Sequence, residues 1–159
     1  PGERRRYFDV ESWRTIVSPQ VNGGGHGSEA IVKVHAGGHR IVRVGEGNGP
    51  VNALDNALRT ALEQIYPEVA GLELVDYKVR IVPGAKGTDA VTRVLIQTDD
   101  AEGSWSTVGV HENVIVASWL AIVDAVDYGL MRAGVIPPEE PAGAEGGASG
   151  IADDATVQA

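Results

Sequence analysis

Cysteine is absent from the 159 residues. That excludes disulfide scaffolds, thiolate metal sites and cysteine nucleophiles together, and is compatible with a reducing cytosol. Basic residues are scarce: 13 Lys and Arg stand against 22 Asp and Glu, a net charge of -9. A nucleic-acid or anionic-membrane surface needs clustered Lys and Arg, and the one basic run, Arg4-Arg5-Arg6, is a terminal trio. Neither partner is expected. No apolar run approaches the roughly 20 residues of a membrane span, and no apolar signal core opens the chain, so a soluble, cytoplasmic protein is expected. The chain begins at Pro1 rather than Met, as a fragment of a longer protein would. Its apolar fraction of 43% over this length supports one core but not two.

What is present is a duplication. A constant offset of 64 positions carries Val44-Gly45 onto Val108-Gly109, Val10 onto Leu74, Trp13 onto Tyr77, and Ile31-Val32 onto Leu95-Ile96. It also pairs Pro19 with Pro83, Gly23 with Gly87, Ala53 with Ala117 and Ala57 with Ala121. Two copies are too few for a solenoid, which needs about three. The expected object is one domain with internal pseudo-two-fold symmetry, occupying residues 8–136 as units 8–67 and 72–134, after a disordered lead at 1–7. From Pro137 to Ala159 the composition turns to Pro, Glu, Ala, Gly and Asp, which reads as a disordered acidic tail.

Each unit reads strand, strand, strand, helix. In the second, Val75, Tyr77, Val79 and Ile81 alternate with Asp76, Lys78 and Arg80, the period of a strand with one buried face. Thr92–Thr98 and Trp105–Val110 then flank a polar turn as a hairpin. The first unit repeats the series with Val10–Val17, Glu29–His35 and Arg40–Val44. Asn48-Gly49 before Pro50 is a helix start, with Pro at the position where its missing N–H costs nothing. An apolar stripe of Val51, Leu54, Leu58, Ala61, Leu62 and Ile65 follows. The second helix starts at a capping Asn113, and its apolar arc is wider than one sheet can cover. It is therefore predicted to pack on a second helix as well. The predicted class is α+β: antiparallel strands with two helices packed on one side.

No catalytic constellation emerges. Gly45-Glu46-Gly47-Asn48-Gly49-Pro50 follows a strand and opens a helix, but Pro50 takes the place of the third glycine of a dinucleotide loop and no Lys-Ser/Thr pair follows. The glycines serve either a tight turn or an anion, phosphate or carboxylate, at the helix N-terminus. The histidines His26, His35, His39 and His111 have no metal-ligand spacing, so no metal and no cofactor is expected. Trp13 and Tyr77 are either half-buried core aromatics or walls of a small-ligand pocket. Asp55 and Glu112 either offset a helix dipole or receive an ammonium group.

With these residues in view, the chain resembles the C-terminal regulatory domain of the 2-isopropylmalate, citramalate and homocitrate synthase family. The resemblance is carried by Gly47-Asn48-Gly49-Pro50-Val51-Asn52-Ala53-Leu54, Asp76-Tyr77-Lys78-Val79-Arg80-Ile81, Gly87-Thr88-Asp89-Ala90-Val91-Thr92-Arg93-Val94 and Trp105-Ser106-Thr107-Val108-Gly109-Val110, with Asn113 and Ala117-Ser118-Trp119. Among branches, Asp-Tyr-Lys-Val-Arg-Ile and the Trp-containing stretch look most like citramalate synthase.

The resemblance implies a homodimerising, amino-acid-binding domain that gives feedback inhibition to a separate acetyl-CoA and 2-oxo-acid condensing barrel in the parent chain. This fragment would then catalyse nothing itself. The implied effector is isoleucine in the citramalate branch and leucine in the isopropylmalate branch. Carried over residue by residue, the effector pocket would draw on Leu54, Asp55, Leu74, Tyr77, Ile81, Thr88, Val91, Glu112 and Val114, beside the helix N-terminal loop Gly47, Asn48, Gly49 and Pro50. A purely structural dimerisation module is the rival reading, and a small free-standing α+β enzyme a third.

Overall fold

The computed structural model describes residues 7–18, 27–83 and 90–138. The Gly23 loop, His26, Thr88, most of the N-terminal lead and the acidic tail from residue 139 lie outside them. The first unit comprises β1 (Asp9–Val17), β2 (Ser28–Ala36), β3 (His39–Gly47) and α1 (Pro50–Glu63). After a short 3-10 turn at Pro67–Gly71, the second comprises β4 (Glu73–Val82), β5 (Val91–Asp100), β6 (Gly103–His111) and α2 (Val114–Arg132). Each triplet of strands is its own antiparallel sheet, in the order β1-β2-β3 and β4-β5-β6. α1 lies over β2 and β3, α2 over β5 and β6, and the two helices touch. The class is α+β, and α2 meets the second helix that its wide apolar arc requires.

The 64-residue offset extends to irregularities. Both first strands carry a bulge at equivalent positions, between Val10 and Ser12 and between Leu74 and Asp76. Both third strands carry a glycine against the helix that follows: a Cβ at Gly45 would enter the backbone of Ala53 and Ala57, and one at Gly109 that of Ala117 and Ala121. Sheet and helix therefore approach closely in both units, which is why the repeat pairs these glycines with these alanines.

One expectation is corrected here. The alternation in β4 placed Val75, Tyr77, Val79 and Ile81 on one buried face. The bulge takes Val75 out of that alternation, and it is exposed. Val79 and Ile81 do share Tyr77's face, opposite Val94 and Thr92, but Ile81 is 67% exposed. α2 covers β5 and β6 and leaves the far end of β4 bare. Its repeat mate Val17 is exposed to the same 67% at the end of β1.

The core is one cluster in which Val32, Val34, Leu58 and Leu62 of the first unit join Val94, Ile96, Ile122 and Leu130 of the second. α2 exceeds the sequence expectation in one respect. Its 19 residues, at mean hydropathy 1.7, are long and apolar enough to cross a membrane by length and composition alone. Its buried residues pack on β5 and β6, as a core helix of a layered domain does.

The helix ends follow their residues. Gly49 caps α1 with no side-chain bond, leaving Pro50 at the first turn. Asn113 caps α2, its Oδ1 accepting from Ile115 N at 2.8 Å and Val116 N at 3.3 Å. Gly134, at φ 74°, turns the chain out of α2, and Val135 N donates to Leu130 O at 3.1 Å. Asn113→Ala is expected to lower stability by about 1 kcal/mol, measurable by urea denaturation, because two amide donors would lose their acceptor while the packing stays unchanged.

Candidate functional site

A cavity of about 500 Å³ opens between the first turns of α1 and the start of β4. Gly49, Pro50 and Val51 form one end of it, Leu74 and Tyr77 the β4 wall, and Asp55 and Arg59 the α1 wall. The bulge beside Leu74 matters here, because it lets Leu74 and Tyr77, three residues apart, both face the cavity. Spacing along α1 does the same for the charged wall: Asp55 and Arg59, at i and i+4, share one side of the helix.

Arg59 Nε donates to Asp55 Oδ1 at 3.0 Å, with the two side chains only 16% and 11% exposed. Burial pushes the Asp55 carboxyl above its ordinary value, and the Arg59 guanidinium opposes that shift by attraction and by its hydrogen bond. On the opposite wall, Tyr77 Oη and Ser118 Oγ are 2.7 Å apart. Ser118 spends its single proton on Val114 O at 2.6 Å, so Tyr77 is the donor in that pair and its phenolic oxygen keeps its acceptor capacity for the cavity. Asn56 ties the site to its own sheet, donating to Glu46 O at 2.7 Å.

Of the residues expected at a site, the structure brings together Asp55, Leu74, Tyr77, Gly49 and Pro50. Leu54 is fully buried and faces the core instead. Gly47 ends β3 against Asn52 and Ala53 of α1, and Asn48 precedes the helix. Ile81 lies four residues beyond Tyr77 on β4, and Val91 pairs with Val82 at the start of β5; within one chain neither borders the cavity. Glu112 and Val114 are exposed at the start of α2, where the repeat makes them the equivalents of Asn48 and Pro50.

Arg59, Asn52, Asn56 and Glu73 also line the cavity and were missed from the sequence. An Asp-to-Arg i,i+4 spacing was the available signal for Arg59. Among the described residues, no group of three His, Cys, Asp or Glu side chains could hold a metal ion. His35 instead joins Arg40 at Glu11, at 3.3 and 2.8 Å, and His111 Nδ1 accepts from Asn113 N at 2.9 Å.

The same crevice exists in the other half, between α2 and β1, and it is filled. Trp119 and Trp13, the repeat equivalents of Asp55 and Tyr77, pack there with ring centroids 5.7 Å apart.

Residues 2–130 match the LeuA allosteric (dimerisation) domain family. Over 138 residues, 87% of this chain, the sequence is 61% identical to an "(R)-citramalate synthase" of Streptomyces coelicolor, of which it covers 26%. An "(R)-citramalate synthase" of Geobacter sulfurreducens is 46% identical over 82% of this chain and 25% of the relative. A "2-isopropylmalate synthase" of Azoarcus sp. is 39% identical over 65% of this chain and 16% of the relative. The chain thus spans about a quarter of the length of its citramalate synthase relatives.

Proposed function

The chain belongs to the LeuA allosteric (dimerisation) domain family, and from that premise we propose that it is the effector-binding, dimerising part of a citramalate synthase, inhibited by isoleucine. The catalytic barrel of the parent protein would condense acetyl-CoA with pyruvate, and this domain would hold the end product that restrains it. The observation that carries the reading is the cavity between α1 and β4. Leu74, Val51 and the Tyr77 ring offer apolar surface for a branched side chain, while Asp55 offers a buried carboxylate for an ammonium group. The names of the most similar relatives favour the citramalate branch. Leucine is the alternative effector, favoured by the match to a 2-isopropylmalate synthase. The two amino acids differ only in where a methyl branches, a difference a shaped apolar pocket reads at about 1–3 kcal/mol.

A homodimer accords with the family's description. The bare ends of the first strands, Val17 with Ile81 and Val79, and the exposed Leu120 and Val114 on α2, are apolar surface that a second copy would cover. In such a dimer Ile81, Val91, Glu112 and Val114 would reach a cavity from the partner side. Feedback would then be a coupling of roughly 1–3 kcal/mol between this cavity and the barrel. It requires that the effector bind two arrangements of the dimer unequally.

Calorimetric titration with isoleucine, leucine, valine and lysine, beside the mass in solution, tests this. Selective isoleucine binding to a dimer is the expected result. Selective leucine binding would transfer the domain to the isopropylmalate branch, and a dimer indifferent to all four would make it a structural dimeriser. The pH dependence adds a check on the site. The ammonium contact needs Asp55 ionised, and its carboxyl is raised by burial against the pull of Arg59, with the Glu73 carboxylate also bordering the cavity. Affinity should therefore fall on acidification before ordinary carboxylates protonate. In Asp55→Asn the affinity should be weak at every pH.

A further inference from the structure

The internal duplication supplies a control experiment within the molecule. α1 and α2 are equivalent helices on equivalent sheets, so whatever the fold itself requires at a position of one should be visible in the other. At the equivalents of Asp55 and Arg59, α2 carries Trp119 and Val123, and the crevice there is closed by the contact of Trp119 with Trp13. The fold therefore builds this helix face from apolar side chains without difficulty. A nearly buried ion pair in the same place is not a gain in stability by default, since apolar replacement is often neutral or better. Asp55 and Arg59, 11% and 16% exposed, stand where α2 shows that packing alone would do, and they stand on the wall of the one crevice of the two that is open.

The geometry points to Arg59 as the carboxylate receptor of a zwitterion-reading pair: Asp55 takes the ammonium and Arg59 the carboxylate of one α-amino acid, bound once per chain. This deepens the reading of the cavity as an amino-acid site and rests on it. Among the described residues Arg59 is bonded through Nε, to Asp55 Oδ1 at 3.0 Å, which leaves its two terminal nitrogens as a fork for a carboxylate and Asp55 Oδ2 as an acceptor. The ammonium and carboxylate of an α-amino acid are separated by a single carbon, and so they meet side by side the two charges that Asp55 and Arg59 hold side by side. The rival anion receptor, the N-terminus of α1, is a poorer match. Pro50 has no N–H to give, and Asp55 lies five residues along the helix, about 7.5 Å at 1.5 Å per residue. The closed crevice between α2 and β1 offers neither charge, so it takes no zwitterion.

The test uses the whole chain and three probes: isoleucine or leucine, whichever the unmodified protein binds; the corresponding branched primary amine, lacking the carboxylate; and the corresponding branched carboxylic acid, lacking the ammonium. The unmodified protein should bind the amino acid at one per chain and lose about 10- to 100-fold on removal of either group. Arg59→Gln should lose a similar factor for the amino acid but still bind the amine at a pH high enough to keep Asp55 ionised without Arg59, so that its preference for a carboxylate disappears. Arg59→Lys should restore part of that preference. Asp55→Asn should be the mirror case, losing the preference for the ammonium. Circular dichroism and the urea midpoint of each variant separate a missing contact from a missing fold. If Arg59→Gln stays folded and still prefers amino acid over amine by the original factor, the helix N-terminus holds the carboxylate and the assignment of Arg59 is wrong. Two molecules bound per chain would also overturn it. Failure of the unmodified protein to bind any branched-chain amino acid would remove the reading of the cavity itself, and the pair with it.

Discussion

Gly109→Ala is expected to destabilise the domain by roughly 3 kcal/mol or more, beyond the usual cost of overpacking, and urea denaturation monitored by tryptophan fluorescence will measure it. A methyl group there has nowhere to go. It would enter the backbone of Ala117 on α2 and press on the amide of Ala121, and backbone atoms, unlike the end of a flexible side chain, move only if the helix moves. Lifting α2 from β6 would open the core around Ile122 and Val126, both almost fully buried. Gly45→Ala should behave alike, because its methyl would meet Ala53 and Ala57 in the same way. Gly49→Ala is the control: nothing lies within 4 Å of its Cβ position, and its stability should fall by no more than about 1 kcal/mol, the difference between glycine and alanine at a helix cap. Equal losses at all three positions would mean that the approach of helix to sheet is not what these glycines serve, since chain entropy by itself favours alanine.

Trp119→Ala is expected to cost about 3–5 kcal/mol, the range for removing a buried large aromatic. Trp119 is 5% exposed and its ring lies against Trp13, so truncation strips one face of a second tryptophan as well as leaving a hole between α2 and β1. Trp119→Phe should recover much of the loss, because it keeps an aromatic contact with Trp13. The removal also discriminates the two halves. If Trp119 only packs, affinity for the proposed amino-acid effector at the α1 crevice should be nearly unchanged at temperatures where the variant is folded, since Trp119 does not line that cavity. A large drop in affinity with the fold intact would show instead that the closed crevice participates in binding.

The βββα-βββα order was legible because the chain states it twice. A strand pattern ambiguous in one copy is checked by its mate 64 residues away, and the glycine–alanine register marks where each helix lands on its sheet. Asp55, Leu74 and Tyr77 were legible as residues of interest: Leu74 as a site residue by resemblance, Asp55 also by its place near a helix N-terminus, and Tyr77 also by its pairing with Trp13. Arg59 was not singled out, because on sequence alone an arginine on an amphipathic helix is a solvated surface residue. Its i,i+4 spacing from Asp55 is shared by many solvated surface pairs, and its 16% exposure beside that carboxylate is what sets it apart. The buried face of β4 was misread for a related reason. Alternation tells which side chains share a face, but not how far along the strand a helix covers that face, and one bulged residue is enough to put Val75 out of the count.

What the sequence determined by itself is therefore what depends on local chemistry repeated along the chain: element order, the two helix starts at Pro50 and Asn113, the internal symmetry, and the absence of cysteine. What the tertiary structure alone decided is the inequality of two halves that the sequence presents as copies. Whether a crevice between a helix and the first strand of the other unit stays open depends on the two side chains that meet across it, which come from elements distant in the sequence. Across one crevice they are Asp55 and Tyr77, which leave a cavity of about 500 Å³; across the other they are Trp119 and Trp13, whose rings fill it.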